Sequence, residues 1–111
     1  MTECIVRTAT VLDIQKLLPL SAQFGYPTSL IACTRRFKEF TALDGYGIAV
    51  AYYGDSLVGW IAWSKSRLFI SDKTRIHIEG LVVDENHRGK GIGKNLYFLW
   101  SKSLKIIALL L

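Results

Sequence analysis

The sequence predicts an α+β domain with the element order β-α-α-β-β-β-α-β. Three observations carry that prediction. Two stretches of helical periodicity follow a short first strand, and the period shortens to that of strands at Gly47. From Ile76 onward an apolar run, a glycine-rich turn and a second helical pattern then succeed one another.

Cys4 to Ala9 reads as the first strand. Thr10 follows as an N-cap, with Asp13 three residues on in the capping-box position. Val11, Ile14, Leu17 and Leu18 make the apolar stripe of a first helix, which Pro19 is expected to kink or end early. Gly25-Tyr26-Pro27 breaks the chain, and Thr28 or Ser29 can cap a second helix with Leu30, Cys33, Phe37 and Phe40 on its buried face. Residues 48–53 and 57–63, joined at Gly54-Asp55-Ser56, predict an antiparallel hairpin. Ser64 to Lys73 reads as a polar link with a small apolar island at Leu68-Phe69-Ile70, and Arg75 to Val83 as the next strand. A helix is expected from about Ile92 to Ser103, with Leu96, Leu99 and Trp100 on one face and Tyr97 off it. Lys105 to Leu111 closes the order as an apolar run read as a buried fifth strand.

A chain of 111 residues makes one domain (residues 1–111) large enough for a single core. Its 50% apolar and 21% charged residues exclude a disordered chain. The net charge of +5, from 14 basic and 9 acidic residues, raises the question of nucleic acid. The basic residues are scattered, however, apart from Arg35-Arg36-Phe37-Lys38 and the glycine loop, and no nucleic-acid module signature is present. Cys4 and Cys33 have no C-x-x-C partner and read as buried thiols of a reducing compartment, and His77 and His87 are too isolated for a metal site. With no signal segment and no apolar run near the ~20 residues that span a bilayer, the expectation is a cytoplasmic protein with no membrane partner.

The segment Asn86-His87-Arg88-Gly89-Lys90-Gly91-Ile92-Gly93-Lys94 holds the chemistry. A strand, a glycine turn and a helix N-terminus in that order present unpaired N–H groups and the positive end of a helix dipole to an anion. Arg88, Lys90 and Lys94 add mobile positive charge, so a phosphorylated cofactor is the expected guest. The P-loop pattern G-x-x-x-x-G-K-[ST] is absent, because Lys94 is followed by Asn95. The dinucleotide pattern G-x-G-x-x-G fails too, since Lys94 stands three residues beyond Gly91. What fits is R-x-x-G-x-G, as Arg88-Gly89-Lys90-Gly91-Ile92-Gly93. With Glu79-Gly80-Leu81-Val82-Val83-Asp84 ahead of it, this segment resembles the fourth strand and acetyl-CoA pyrophosphate loop of the GNAT N-acetyltransferase superfamily. The element order resembles the first three-quarters of that fold. There the resemblance implies a mixed sheet whose fourth and fifth strands run parallel and splay around the pantetheine arm. A last helix and two further strands of the family have no counterpart here, so the domain is expected to be shortened after its fifth strand.

The resemblance implies acetyl-CoA as cofactor and a primary amine, of a small molecule or peptide, as acceptor, joined by direct attack in a ternary complex. Main-chain amides of about residues 88–93 would grip the pyrophosphate, at about 1.5–3 kcal/mol per charge-assisted bond. Arg88 is expected on phosphate, and Gly91 and Gly93 to allow close backbone approach. Leu81, Val82 and Val83 would offer main-chain groups to the pantetheine, one of them polarising the thioester carbonyl. Glu79 has two readings. As general base it would lie desolvated among Ile76, Ile78, Leu81 and Val82, its pKa raised; alternatively it is a solvent-face glutamate paired with Arg75 or His77. The family's thiolate-protonating tyrosine belongs to the helix with no counterpart, and Tyr97 is expected to pack. Trp60, Trp63, Tyr52 and Tyr53 either line an acceptor pocket or fill the core. Phe24-Gly25-Tyr26-Pro27 is similar to small-molecule acetyltransferases.

Two other functions are open. A shortened domain would bind CoA without turnover, its unpaired last strand pairing with a second copy to form a homo-oligomer. A basic module acting through Arg35-Arg36-Phe37-Lys38 on anionic surfaces is the third reading.

Overall fold

The structure is a computed structural model and describes residues 4–96. Its sheet has four strands in the order β1-β2-β3-β4, every neighbouring pair antiparallel. They span Cys4–Thr8 (β1), Tyr46–Tyr53 (β2), Ser56–Arg67 (β3) and Thr74–Val83 (β4). Helices α1 (Ile14–Gln23) and α2 (Leu30–Ala42) lie between β1 and β2, and α3 starts at residue 92 after the glycine loop. The parallel fifth strand, the homo-oligomer contact expected of it, and the later part of α3 with Tyr97 lie outside the described residues.

Side chains alternate across β2 and so feed two cores. Ala9, Ile14, Leu17, Phe37 and Val50 pack together beneath α1 and α2, with Tyr52 and Trp60 against them. Ala49, Ala51, Val58, Ile61, Trp63 and Ile76 pack on the other face, where Ile92 and Leu96 of α3 join them. Burying a side chain such as Ile92 or Leu96 contributes about 1.5–3 kcal/mol, which seats the start of α3, and the loop before it, against the sheet. The four hairpin aromatics are therefore divided: Tyr52 and Trp60 face α1 and α2, whereas Tyr53 and Trp63 face α3.

Three details differ from the sequence expectation. Helix α1 runs through Pro19 to Gln23, since Leu17 and Leu20 on either side are held in the core. The expected link at 64–73 is shorter, because β3 continues to Arg67 and pairs residue by residue with β4 as far as Thr74. Leu30 lies exposed on α2, leaving Phe37 as its one buried residue, while Ser29 accepts the Ala32 N–H as N-cap at 3.1 Å.

Asp13 joins the N-terminal elements. It is 1% exposed and takes both Arg7 terminal nitrogens at 2.8 and 2.7 Å, the Tyr52 hydroxyl at 2.5 Å and the Thr10 N–H at 2.7 Å. Burial pushes its carboxyl up, but the bonds from Arg7, Tyr52 and Thr10 outweigh it and hold the group well below the usual carboxylate range. Burial, and then the bond to Asp13, push the Tyr52 hydroxyl up to about 12.

Candidate functional site

Strand β4 carries the site, and one extra residue shapes it. Ala62 pairs with Gly80 and the next residue, Trp63, pairs with Ile78, so Glu79 is the additional residue of a β-bulge. Ile76, Ile78 and Val83 consequently all pack against the α3-side core, a spacing that strict alternation forbids. Glu79 turns to the other face, where it accepts the buried Ser64 hydroxyl at 3.0 Å and faces His77 Nε2 at 3.9 Å. Its side chain is 40% exposed, so the enclosure by Ile76, Ile78, Leu81 and Val82 expected from sequence does not occur. Alternation along the strand is the reason: Ile76 and Ile78 lie three residues and one residue from Glu79 and so point to the opposite face, into the α3-side core. The expected neighbour His77 is present; Ser64 was not foreseen.

Beyond Glu79, β4 has no strand on its outer edge among the described residues. A cavity of about 460 Å3 lies there, lined by Gln23 and Phe24 from α1, Leu81, Val82 and Val83 from β4, and Arg88 and Gly93 from the loop. Five of the residues singled out in the sequence thus meet at one cavity. Leu81 is 38% exposed beside it, whereas Val82 is nearly buried. Gly89, Lys90, Gly91 and Lys94 are exposed along the loop and its helix start, outside the cavity lining. The Ile92 side chain is 2% exposed and belongs to the core, so only its main chain is available to a ligand.

The loop turns on two glycines and leaves main-chain donors without backbone partners among the described residues. Gly89 and Gly91 hold φ of +82° and +78°, a region L-residues avoid, and a Cβ on either would meet nothing within 4 Å. The first helical bond is Asn95 N–H to Gly91 O at 2.9 Å. Among the described residues, no backbone hydrogen bond uses the amides of residues 89–93 as donors. Arg88 donates from Nε to Val83 O at 3.1 Å, which ties the loop to the strand end. It forms no ion pair among the described residues.

Gln23 braces this loop from the end of α1, a role nothing in its sequence context announced. Its Nε2 donates to Asp84 Oδ1 at 2.8 Å and its Oε1 accepts the Glu85 N–H at 3.0 Å. The other Asp84 oxygen meets His87 Nδ1 at 2.7 Å, and the His87 ring stacks on Tyr53 with centroids 5.9 Å apart. The bonds from Gln23 and then His87 hold the Asp84 carboxyl below its usual range.

A second cavity, of about 550 Å3, opens on the α1–α2 face of the sheet. Trp60 separates the two. Its ring covers Gly80, where an added Cβ would sit 2.7 Å from Cη2, and Phe24 meets it edge-on with centroids 6.1 Å apart.

Sequence and structure comparisons agree with this geometry. Residues 12–99 match the model of the acetyltransferase (GNAT) family, and the chain belongs to that family. A GNAT family acetyltransferase from Staphylococcus aureus superposes with a TM-score of 0.86 at 25% identity, over 97% of this chain and 84% of that one. Glucosamine-6-phosphate N-acetyltransferase from Arabidopsis thaliana gives a TM-score of 0.79 at 24% identity, over 97% and 80%. An aminoglycoside acetyltransferase from an uncultured soil metagenomic sample, in complex with sisomicin, gives 0.78 at 19%, over 96% and 77%. No curated protein matches the chain in sequence.

Proposed function

We propose that the chain is an acetyl-CoA-dependent N-acetyltransferase that acts on a primary amine by direct attack in a ternary complex. The observation that carries this reading is the cavity joining the edge of β4, which has no partner strand among the described residues, to the glycine loop and Arg88. An extended pantetheine arm needs main-chain partners, which the edge at Leu81 to Val83 provides. A pyrophosphate needs several N–H donors and positive charge, which residues 89–93, Arg88, Lys90 and Lys94 provide. The residues present therefore fit the cofactor.

Acetyl-CoA supplies the acetyl group as a thioester, whose C–S bond breaks as the amine nitrogen bonds to the acetyl carbon. The chain's part is to hold and to accept protons. The β4 edge orients the carbonyl, and one of its N–H groups draws charge onto the carbonyl oxygen. Glu79, exposed enough to exchange protons with water and held by Ser64, takes the proton that the amine sheds. CoA would leave as the thiolate, and no described residue of the chain is given the task of protonating it.

Titrating acetyl-CoA into the purified chain by calorimetry tests the reading, followed by thiol release on addition of amines. Micromolar binding with amine-dependent release is expected. Absence of binding at millimolar cofactor overturns it, while binding without release under any amine assigns cofactor binding alone.

A further inference from the structure

The larger cavity says what kind of amine the site takes. It is walled by Leu17, Phe37, Phe40, Ile48, Trp60 and Ala62. Among the described residues its only charged ones are Arg36 and Glu39, one of each sign and both on the exposed side of α2, with Arg36 already donating to Thr28 Oγ1 at 2.7 Å. A sugar phosphate requires a cluster of cations and donors for each hydroxyl. A polyamine or aminoglycoside requires several carboxylates. This wall has neither set: among the described residues its polar groups are Ser21, Arg36, Glu39 and the unpartnered Trp60 Nε1–H. The many hydroxyl or ammonium groups of such a ligand would lose water with too few replacement partners. An apolar ring or chain loses nothing by entering, and the volume falls within the roughly 300–1,000 Å3 of small-molecule sites.

The cavity also borders Gly80, the residue after Glu79, through Ala62 and Trp60. Ala62 pairs with Gly80 across the ladder, and Trp60 pairs with Val82 while its ring lies over Gly80, next to Glu79. Phe24, packed on Trp60, lines the other cavity. An amine whose body fills the apolar wall therefore ends near Glu79, at the partition between the two cavities.

We propose that the acceptor is a monoamine on an apolar, ring-sized body, and that this cavity selects it against phosphorylated or polycationic amines. The proposal rests on the transferase reading above. The test uses 2-phenylethylamine, glucosamine 6-phosphate and sisomicin, each titrated by calorimetry into the chain with and without CoA, and each assayed with acetyl-CoA. Phenylethylamine is expected to bind, and to be acetylated with a kcat/KM about 100-fold or more above the other two, the scale of hydrophobic-pocket discrimination. Cys33→Phe, from a half-buried position on the α2 wall, is expected to weaken phenylethylamine binding by about tenfold or more while leaving the acetyl-CoA Kd unchanged.

Equal or better use of either hydrophilic amine overturns the proposal, as does absence of phenylethylamine binding at millimolar concentration. Unchanged amine kinetics in a folded Cys33→Phe also overturns it. The three-amine comparison on the unaltered chain decides the matter if that variant does not fold. Acetyl-CoA binding without phenylethylamine binding removes this proposal alone. Phenylethylamine binding without acetyl-CoA binding removes the transferase reading and leaves the cavity assignment.

Discussion

Two glycines of one motif are expected to respond to alanine in opposite ways. Gly91 holds φ at +78°, and a Cβ there would meet nothing within 4 Å. Gly91→Ala therefore has no steric clash, and its whole cost is conformational, about 1–2 kcal/mol for an L-residue in the left-handed region. That cost must appear somewhere. If the loop keeps its shape, the folded state bears it, and Tm falls by roughly 4–8 °C per kcal/mol. If the loop relaxes, the ligand must restore it, and the Kd for CoA rises by about 5–30-fold. Gly93 differs, because it lies inside α3 and its Cβ would make an ordinary contact of 3.4 Å with Val83 Cγ2. Alanine in a helix is better than glycine by up to about 1 kcal/mol, so Gly93→Ala should hold or raise Tm. Calorimetric titration of CoA and a thermal melt, run on both variants, give the two parts of the sum. The reasoning is wrong if Gly91→Ala moves neither Kd nor Tm, or if Gly93→Ala proves the more damaging.

Three further substitutions probe the base, the brace and the N-terminal anchor. Glu79→Gln should lower kcat by about 10²–10⁴-fold and flatten the rising limb of the rate–pH profile; an unchanged profile removes Glu79 from proton transfer. Gln23→Ala deletes two hydrogen bonds at the start of the loop, and should weaken CoA binding by about 1–3 kcal/mol in titration while kcat at saturation holds. Asp13→Asn leaves the half-exposed Arg7 charge and the Tyr52 hydroxyl without a carboxylate, a loss of about 1–3 kcal/mol in denaturant unfolding at neutral pH. Because the Asp13 pKa is lowered on folding, its stabilisation is fully present above the unfolded value near 3.9 and is lost as pH falls toward the folded one. The gap between wild type and Asp13→Asn should therefore narrow below about pH 4, and a gap independent of pH contradicts the role given to this carboxylate.

The parts of the site that depend on local chain chemistry were legible in the sequence. Glycines at 89 and 91 signal left-handed turns, and an apolar run before them signals a strand; both signals act within a few residues. The four strands and two helices, as elements along the chain, followed from periodicity for the same reason. What depends on distant packing was not legible. Whether Pro19 ends α1 is decided by Leu17 and Leu20 entering the core, not by the proline itself. Gln23 meets Asp84 and Glu85 across about sixty residues of chain, with no pattern at either end to show it. The desolvated surroundings assumed for Glu79 counted its neighbours in sequence, whereas alternation along β4 turns Ile76 and Ile78 away from it into the α3-side core.

The irregular pairing at Glu79 also explains how one strand serves two cavities. Without an extra residue at Glu79, the side of β4 that packs with Ile76 and Ile78 would take Gly80 and Val82 in place of Val83. The Trp60 ring would then face a side chain instead of Gly80, and α3 would lose the valine that meets its first turn at Gly93. With the bulge, the inner half of β4 keeps its isoleucines against the α3-side core, while Glu79 and Gly80 both open toward the α1–α2 face. The carboxylate consequently stands on the face of the larger cavity, only two residues before the strand edge that borders the smaller one. On the proposed reading, a base must reach the amine while a neighbouring main chain holds the thioester. The bulge would serve that reading by turning Gly80 under the Trp60 ring, at the border of the larger cavity, while Leu81 to Val83 line the smaller one.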